Sequence, residues 1–279
     1  MRSNNTGFTL IELIVVIVIT GIISSITVVF LKAPVDQYID VARRAAMTDI
    51  ADNALQRMSR DLRTAVPNSV RLSGSYLEFL PTKAGGRYRA NVIGGLGLCA
   101  AAGDELSFAA ADSCFEMTSP AISFAAGDSI VIGSTQADGN APYKNSATGV
   151  LRAYTGAVGA QSKVVINATQ FPAFASLPSQ RFAVVSGSEQ AVTYACENVG
   201  GTIDGTGTLN RYWAYGFNMV QTAPPTGGFS ALLADNISAC AITYNVINQR
   251  NGLITIALTI LQGGQRIHLY SEIHVNNMP

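Results

Sequence analysis

Glu12 is the only charged residue among the 24 from Phe8 to Leu31, a run otherwise made of apolar and small uncharged residues. A carboxylate held in apolar surroundings costs at least ~2 to 3 kcal/mol, so by default it is a site with a partner, and the cheapest partner is a positive amine. Four cysteines, Cys99, Cys114, Cys196 and Cys240, form the second candidate group, and all lie after the apolar run. Their even number suits disulfides in an oxidising compartment. Of the three possible connectivities, Cys99 with Cys114 and Cys196 with Cys240 is favoured. The first pair closes a Gly/Ala-rich loop with little core of its own, and closure of a loop of about 15 residues contributes on the order of 3 kcal/mol. The second pair would tie two expected strands.

Other chemistries are weaker. Zinc would compete for the cysteines, but no Cys-x-x-Cys spacing exists. His268 and His274 lie six apart on one expected strand, so they share a face about 20 Å apart and cannot hold one ion. No metal or other cofactor is expected. Gly94-Gly95-Leu96-Gly97 lacks the Lys and the helix that phosphate binding needs, and Asp204-Gly205-Thr206-Gly207 lacks the further acidic ligands of a calcium loop. No Gly-x-Ser-x-Gly or His-Glu-x-x-His motif is present. These absences argue against an enzyme, and no residue is assigned a catalytic role. Arg211, Trp213, Tyr215 and Phe217 alternate, which would set them on one strand face with Tyr212 on the other. That row reads as half-buried packing or, as an adhesin, as a surface for sugars.

The elements that must position Glu12 begin with a polar leader, Met1 to Gly7. As a helix, residues 8–31 extend roughly 36 Å, enough to span a bilayer. A secretory signal has its cleavage site after the apolar core, whereas here the possible processing point, Gly7/Phe8, precedes it, so the apolar segment stays on the chain. Residues 32–66 continue as an amphipathic helix in which Pro34 removes one backbone donor and is expected to kink the rod without ending it. Val41, Ala45, Ala51, Leu55, Met58 and Leu62 recur at helical spacing as one sticky face. The opposite side carries Asp40 with Arg44 and Arg57 with Asp61, four apart. Pro67-Asn68 closes the helix.

After residue 67 the pattern changes to short alternating runs bounded by Gly, Ser, Asn and Asp. Val70–Leu72 and Tyr76–Leu80 read as a hairpin across Ser73-Gly74-Ser75. Ser129–Ile132, Val164–Ile166, Phe182–Val185, Ala191–Ala195, Ile237–Val246, Leu253–Leu261 and Gln265–Val275 are further strands, the last two a hairpin around Gly263-Gly264. Between Ala84 and Ala160 periodicity is weak and long loops are expected. The reading is an α+β protein, with a long N-terminal hydrophobic helix carrying a β-rich head over residues 67–279.

Gly7 followed by Phe8-Thr9-Leu10-Ile11-Glu12 resembles the class III signal of type IV pilins and type II secretion pseudopilins. The resemblance implies that a prepilin peptidase cuts after Gly7 and methylates the new Phe8 amine, and that Glu12 pairs with the Phe8 amine of a neighbouring subunit as the helix enters a fibre. Arg60 to Arg71, Leu209-Asn210-Arg211-Tyr212 and His274-Val275-Asn276-Asn277-Met278-Pro279 resemble the MshO family, minor pilins of the mannose-sensitive haemagglutinin type IV pilus. This implies a low-abundance subunit that helps start or cap a fibre. Its partners would be other minor pilins, the major pilin, the prepilin peptidase and the inner-membrane assembly platform. A pseudopilin or a minor pilin of another type IV system shares the same features.

Lys and Arg total 18, as do Asp and Glu, so the formal net charge is zero. With no basic surplus to release counterions, nucleic acid is not expected as a partner. Arg2 opposes Lys32, Arg43 and Arg44 across the apolar segment, which leaves its orientation unresolved by charge. The cysteines and the pilin resemblance place the head in the periplasm, with the leader inside and a single pass through the inner membrane, and later at the cell surface. Gly21, Ser24 and Ser25 would let helices approach closely in a bundle. Arg60, Asp61 and Arg63 are candidates for contact with a neighbouring subunit.

Overall fold

A computed structural model of the chain describes residues 9–99, 103–136, 139–248 and 250–279. Its first element is a single helix, α1 (Leu10–Arg63), which continues through Pro34. The chain divides into two compact units at Met47/Thr48. In the first, Leu10, Ile14, Ile17, Ile22, Ile26, Leu31 and Val41 are all exposed. In the second, α1 buries Ala51, Ala54, Leu55, Met58 and Leu62. The sticky face is therefore shorter than its periodicity predicts. Val41 and Ala45 share the helical phase but lie exposed in the first unit, because spacing sets a face and only a covering element buries it.

The helix also stops three residues before the expected Val66. Val66 donates its N–H to the Leu80 carbonyl at 2.8 Å, and Thr64 accepts from the Thr82 N–H at 2.9 Å. The last turn is thus drawn into an antiparallel bridge at Ala65 and Pro81 before Pro67 is reached. Asp40 meets Arg43 at 3.2 Å, and Asp61, expected to pair with Arg57, turns inward to other partners.

Short strands follow: β1 (Arg71–Ser73), β2 (Tyr76–Phe79), β3 (Thr82–Arg87), β4 (Cys114–Glu116), β5 (Ile122–Phe124), β6 (Ser129–Ile132), β7 (Leu151–Ala153), β8 (Gly159–Gln161) and β9 (Lys163–Val165). Next come β10 (Arg181–Val185), β11 (Val192–Glu197) and β12 (Gly207–Trp213). The fold closes with β13 (Phe229–Asn248), β14 (Asn251–Gln262) and β15 (Gln265–Asn276). The main sheet has seven strands in the order β1-β2-β11-β12-β13-β14-β15. On β14, Ile254, Ile256, Leu258 and Ile260 are buried in alternation, the period of a strand with one face on a core. Full burial of each such side chain contributes about 1.5 to 3 kcal/mol. Gln262 pairs with Gln265, and the intervening Gly263 and Gly264 have φ of 56° and 74°, which a two-residue hairpin with both central residues left-handed requires.

A second sheet runs β3-β10-β6-β7, with β4-β9 and β5-β8 as two-stranded ribbons. Its core gathers Phe115, Phe124, Ile130, Ile132, Leu151, Val164, Phe182 and Val184, with Phe115 edge-on to Phe182 at 5.7 Å. The segment from Ala84 to Ala160, expected to be loops, therefore supplies much of a second core. Its strands are mostly three or four residues long, too short for alternation to register. β3 even contains Gly85-Gly86, against strand propensity. A Cβ at Gly86 would lie 2.7 Å from the Phe182 ring, so the glycine admits the aromatic that carries the core.

Candidate functional site

The front of α1 starts at Thr9, whose carbonyl accepts from the N–H of Glu12 at 3.1 Å and of Leu13 at 3.2 Å. The Thr9 hydroxyl oxygen lies 3.3 Å from the Glu12 N–H, the contact of a Thr-x-x-Glu cap that satisfies donors otherwise orphaned at a helix start. Sequence reasoning passed over Thr9, although the threonine three residues before a glutamate was there to read. Among the described residues, the exposed Glu12 carboxylate meets no cation and no hydrogen-bond donor. Gly7 and Phe8, the expected processing pair, lie outside the described residues.

Beyond Glu12, α1 satisfies its own polar groups. The Thr20 hydroxyl donates to the Val16 carbonyl at 2.6 Å, Ser25 to Ile22 at 2.8 Å and Thr27 to Ile23 at 2.8 Å. A helix that closes all its hydrogen bonds internally is what lipid or an apolar bundle demands. Gly21 has nothing within 4 Å of the place a Cβ would occupy. Among the described residues this is the one helix long and apolar enough to cross a membrane.

The other candidates resolve into structure. Cys99 is bridged to Cys114, and Cys196 to Cys240. The second bridge joins β11 to β13, the strands flanking β12. Just outside the first loop, Glu116 is 1% exposed and is held by Arg89 at 3.0 Å and by the N–H groups of Leu96 and Leu98. Asp104 accepts from the Gly97 and Cys99 N–H groups, and the Cys99 bond in particular lowers its pKa. The backbone N–H groups of 96–99 thus wrap two carboxylates of the chain itself. Asp204 Oδ1 accepts from Gly263 N–H, so that loop latches the last hairpin.

Asp61, a candidate for outside contact, is engaged internally. It accepts from the Tyr194 hydroxyl at 2.6 Å and from Arg211 Nε at 3.2 Å, while Arg211 Nη2 reaches Glu189 at 2.9 Å. Burial first, then the Asp61 hydrogen bond, pushes the Tyr194 pKa up. Arg60 and Arg63 remain exposed. The row Arg211, Trp213, Tyr215, Phe217 is not a row. β12 ends at Trp213, and Ala214 turns left-handed at φ 59°, with its N–H taken by the Glu189 carbonyl at 2.7 Å. Tyr215 and Phe217 then pack against the second core. His268 and His274 are both exposed on β15, and His268 Nδ1 lies 2.9 Å from the Thr259 hydroxyl.

Residues 2–28 match the prokaryotic N-terminal methylation motif. The match supports a type IV pilin-like protein, of a pilus or a pseudopilus, and proteins of this kind are structural. No curated protein and no solved structure matches the chain. The pilin-like motif coincides with the exposed apolar front of α1, and together they make this a membrane-anchored, single-pass protein.

Proposed function

We propose that this chain is a minor pilin of the mannose-sensitive haemagglutinin type that takes part in the complex priming a type IV pilus. The minor-pilin part of the reading rests on the resemblance of Arg60 to Arg71, Leu209 to Tyr212 and His274 to Pro279. The pilin-like part is carried by the coincidence of the methylation motif with a helix whose apolar side chains are exposed from Leu10 to Ile26 and again at Phe30 and Leu31. Those side chains are covered in lipid before assembly and by neighbouring helices after it. Prepilin peptidase cuts between Gly7 and Phe8 and methylates the new amine. Glu12, with its N–H already bonded to Thr9, offers its carboxylate to the Phe8 amine of an adjacent subunit. A buried anion facing a buried ammonium offsets part of both desolvation costs and sets axial register.

The work of assembly is then the transfer of α1 from the inner membrane to a helical bundle, with the platform, other minor pilins and the major pilin as partners and the head in the periplasm. A subunit that carries Glu12 sits beneath another, so this chain is not the outermost member; a tip complex showing its head with no subunit above would contradict that. Mass spectrometry of sheared, washed fibres tests the main reading. A few copies per fibre, beginning at methylated Phe8, are expected. Recovery only from the inner membrane with Met1 to Gly7 attached would overturn it. Recovery with a secretion apparatus and not with surface fibres would favour a type II pseudopilin, which the same motif fits.

A further inference from the structure

The register of β3 and β10 sets Arg87 directly across from Arg181. Such partners share a face with Cβ atoms about 4.5 to 5.5 Å apart, and like charges placed this way repel. Both side chains are exposed, and none of the ion pairs among the described residues involves either of them. Beside Arg181 the surface opens into a hollow of about 150 Å³ lined by Val66, Gly85, Val131, Ala183 and Met278. Ser134 lines it too. Its carbonyl is fixed by Asn68 Nδ2 at 2.6 Å, so the segment is held in place. Two repelling guanidiniums and an apolar hollow beside them are each unfavourable alone, and one kind of occupant answers both.

We propose that this is a binding site for a carboxylate borne on a compact apolar body. Arg87 and Arg181 take the carboxylate through charge-assisted, fork-like hydrogen bonds, for which guanidinium is suited where ammonium is not. The hollow takes the apolar body, since a cavity of this volume holds a benzene-sized group. The same chemistry is offered by a free arylacetic acid and by the terminal residue of a peptide ending in an apolar side chain.

Equilibrium dialysis of the detergent-solubilised full chain tests this with four probes: phenylacetate, phenylacetamide, Gly-Gly-Phe and the C-terminal amide of that tripeptide. Each acid is expected to be retained about tenfold or more over its amide, the factor that corresponds to one charged contact. The double variant Arg87→Ala/Arg181→Ala should abolish that preference without lowering the melting temperature, because it removes a repulsion. Ala183→Leu, which fills the hollow, should weaken retention of both acids while leaving the arginines in place. Tighter retention of the tripeptide would identify a peptide terminus as the occupant, and tighter retention of phenylacetate a free acid. Equal retention of acid and amide, an acid preference that survives in the double arginine variant, or no retention above protein-free micelles would overturn the site.

Discussion

The two ends of α1 use apolar residues for different purposes. From Leu10 to Ile26, and at Phe30 and Leu31, they are exposed, while from Ala51 to Leu62 the equivalent stripe is buried. The helix is one element with one backbone geometry, so propensity does not separate the two. The first end has apolar side chains all round and closes its polar groups on itself. The second alternates faces and ties its last turn to the β-rich unit through Asp61, Tyr194 and Arg211. The difference teaches that apolar surface stabilises this fold only where the chain covers it, and that the uncovered part is left for lipid and for other subunits.

The sharpest way to break that comparison is at Glu12. Glu12→Ala should abolish recovery of the chain in sheared fibres, read by immunoblot, while thermal unfolding in detergent stays within about 0.5 kcal/mol of the parent, as for substitutions far from packed features. Undiminished recovery would mean that Glu12 does no more than follow the Thr9 cap. Next, Leu62→Ala should cost about 2 to 5 kcal/mol, as truncation of a fully buried leucine does, whereas Ile17→Ala should leave the unfolding of the β-rich unit unchanged. Equal losses in the two variants would erase the distinction between the ends.

A third measurement concerns pH. Burial first, then the hydrogen bond to Glu197, pushes the Tyr212 phenol up to about 12 from 10.0, and Tyr76, bonded to the same carboxylate, is raised too. With the folded pKa above the unfolded one, the fold favours the protonated phenol. The stabilisation is therefore complete below pH 10 and is lost as pH rises towards 12. Denaturant midpoints should fall across that window, and Tyr212→Phe should flatten the fall. The smallest effect is expected at the exposed pair Asp40–Arg43: Arg43→Ala should change unfolding by less than about 0.5 kcal/mol. A larger loss there would show that the front of α1 contributes to the stability of the chain after all.

Legibility in the sequence followed the length of each pattern. The apolar run, Glu12 and the long strands β13, β14 and β15 could be read because each repeats its signal over many residues, although β13 begins eight residues before the expected Ile237. Strands β3, β4, β5, β7 and β8 could not be read, since three to six residues give alternation no room and β3 carries two glycines. Asp61 looked like one more charge on a solvated helix face. Nothing local distinguishes it from Asp40, and only the arrival of β11 and β12, with Tyr194 and Arg211, makes it an internal partner.

By itself the sequence determined that a long apolar helix with one carboxylate precedes a β-rich unit, because hydrophobic length, charge scarcity and strand periodicity act over neighbouring residues. Tertiary structure alone decided which turn of α1 is first covered, why the Arg211 to Phe217 alternation breaks at Ala214, and that Arg87 pairs with Arg181 beside a hollow. Each of these depends on backbone hydrogen bonds or contacts between segments distant in the chain, and such pairings are set by the packing of the whole unit, which no local pattern encodes.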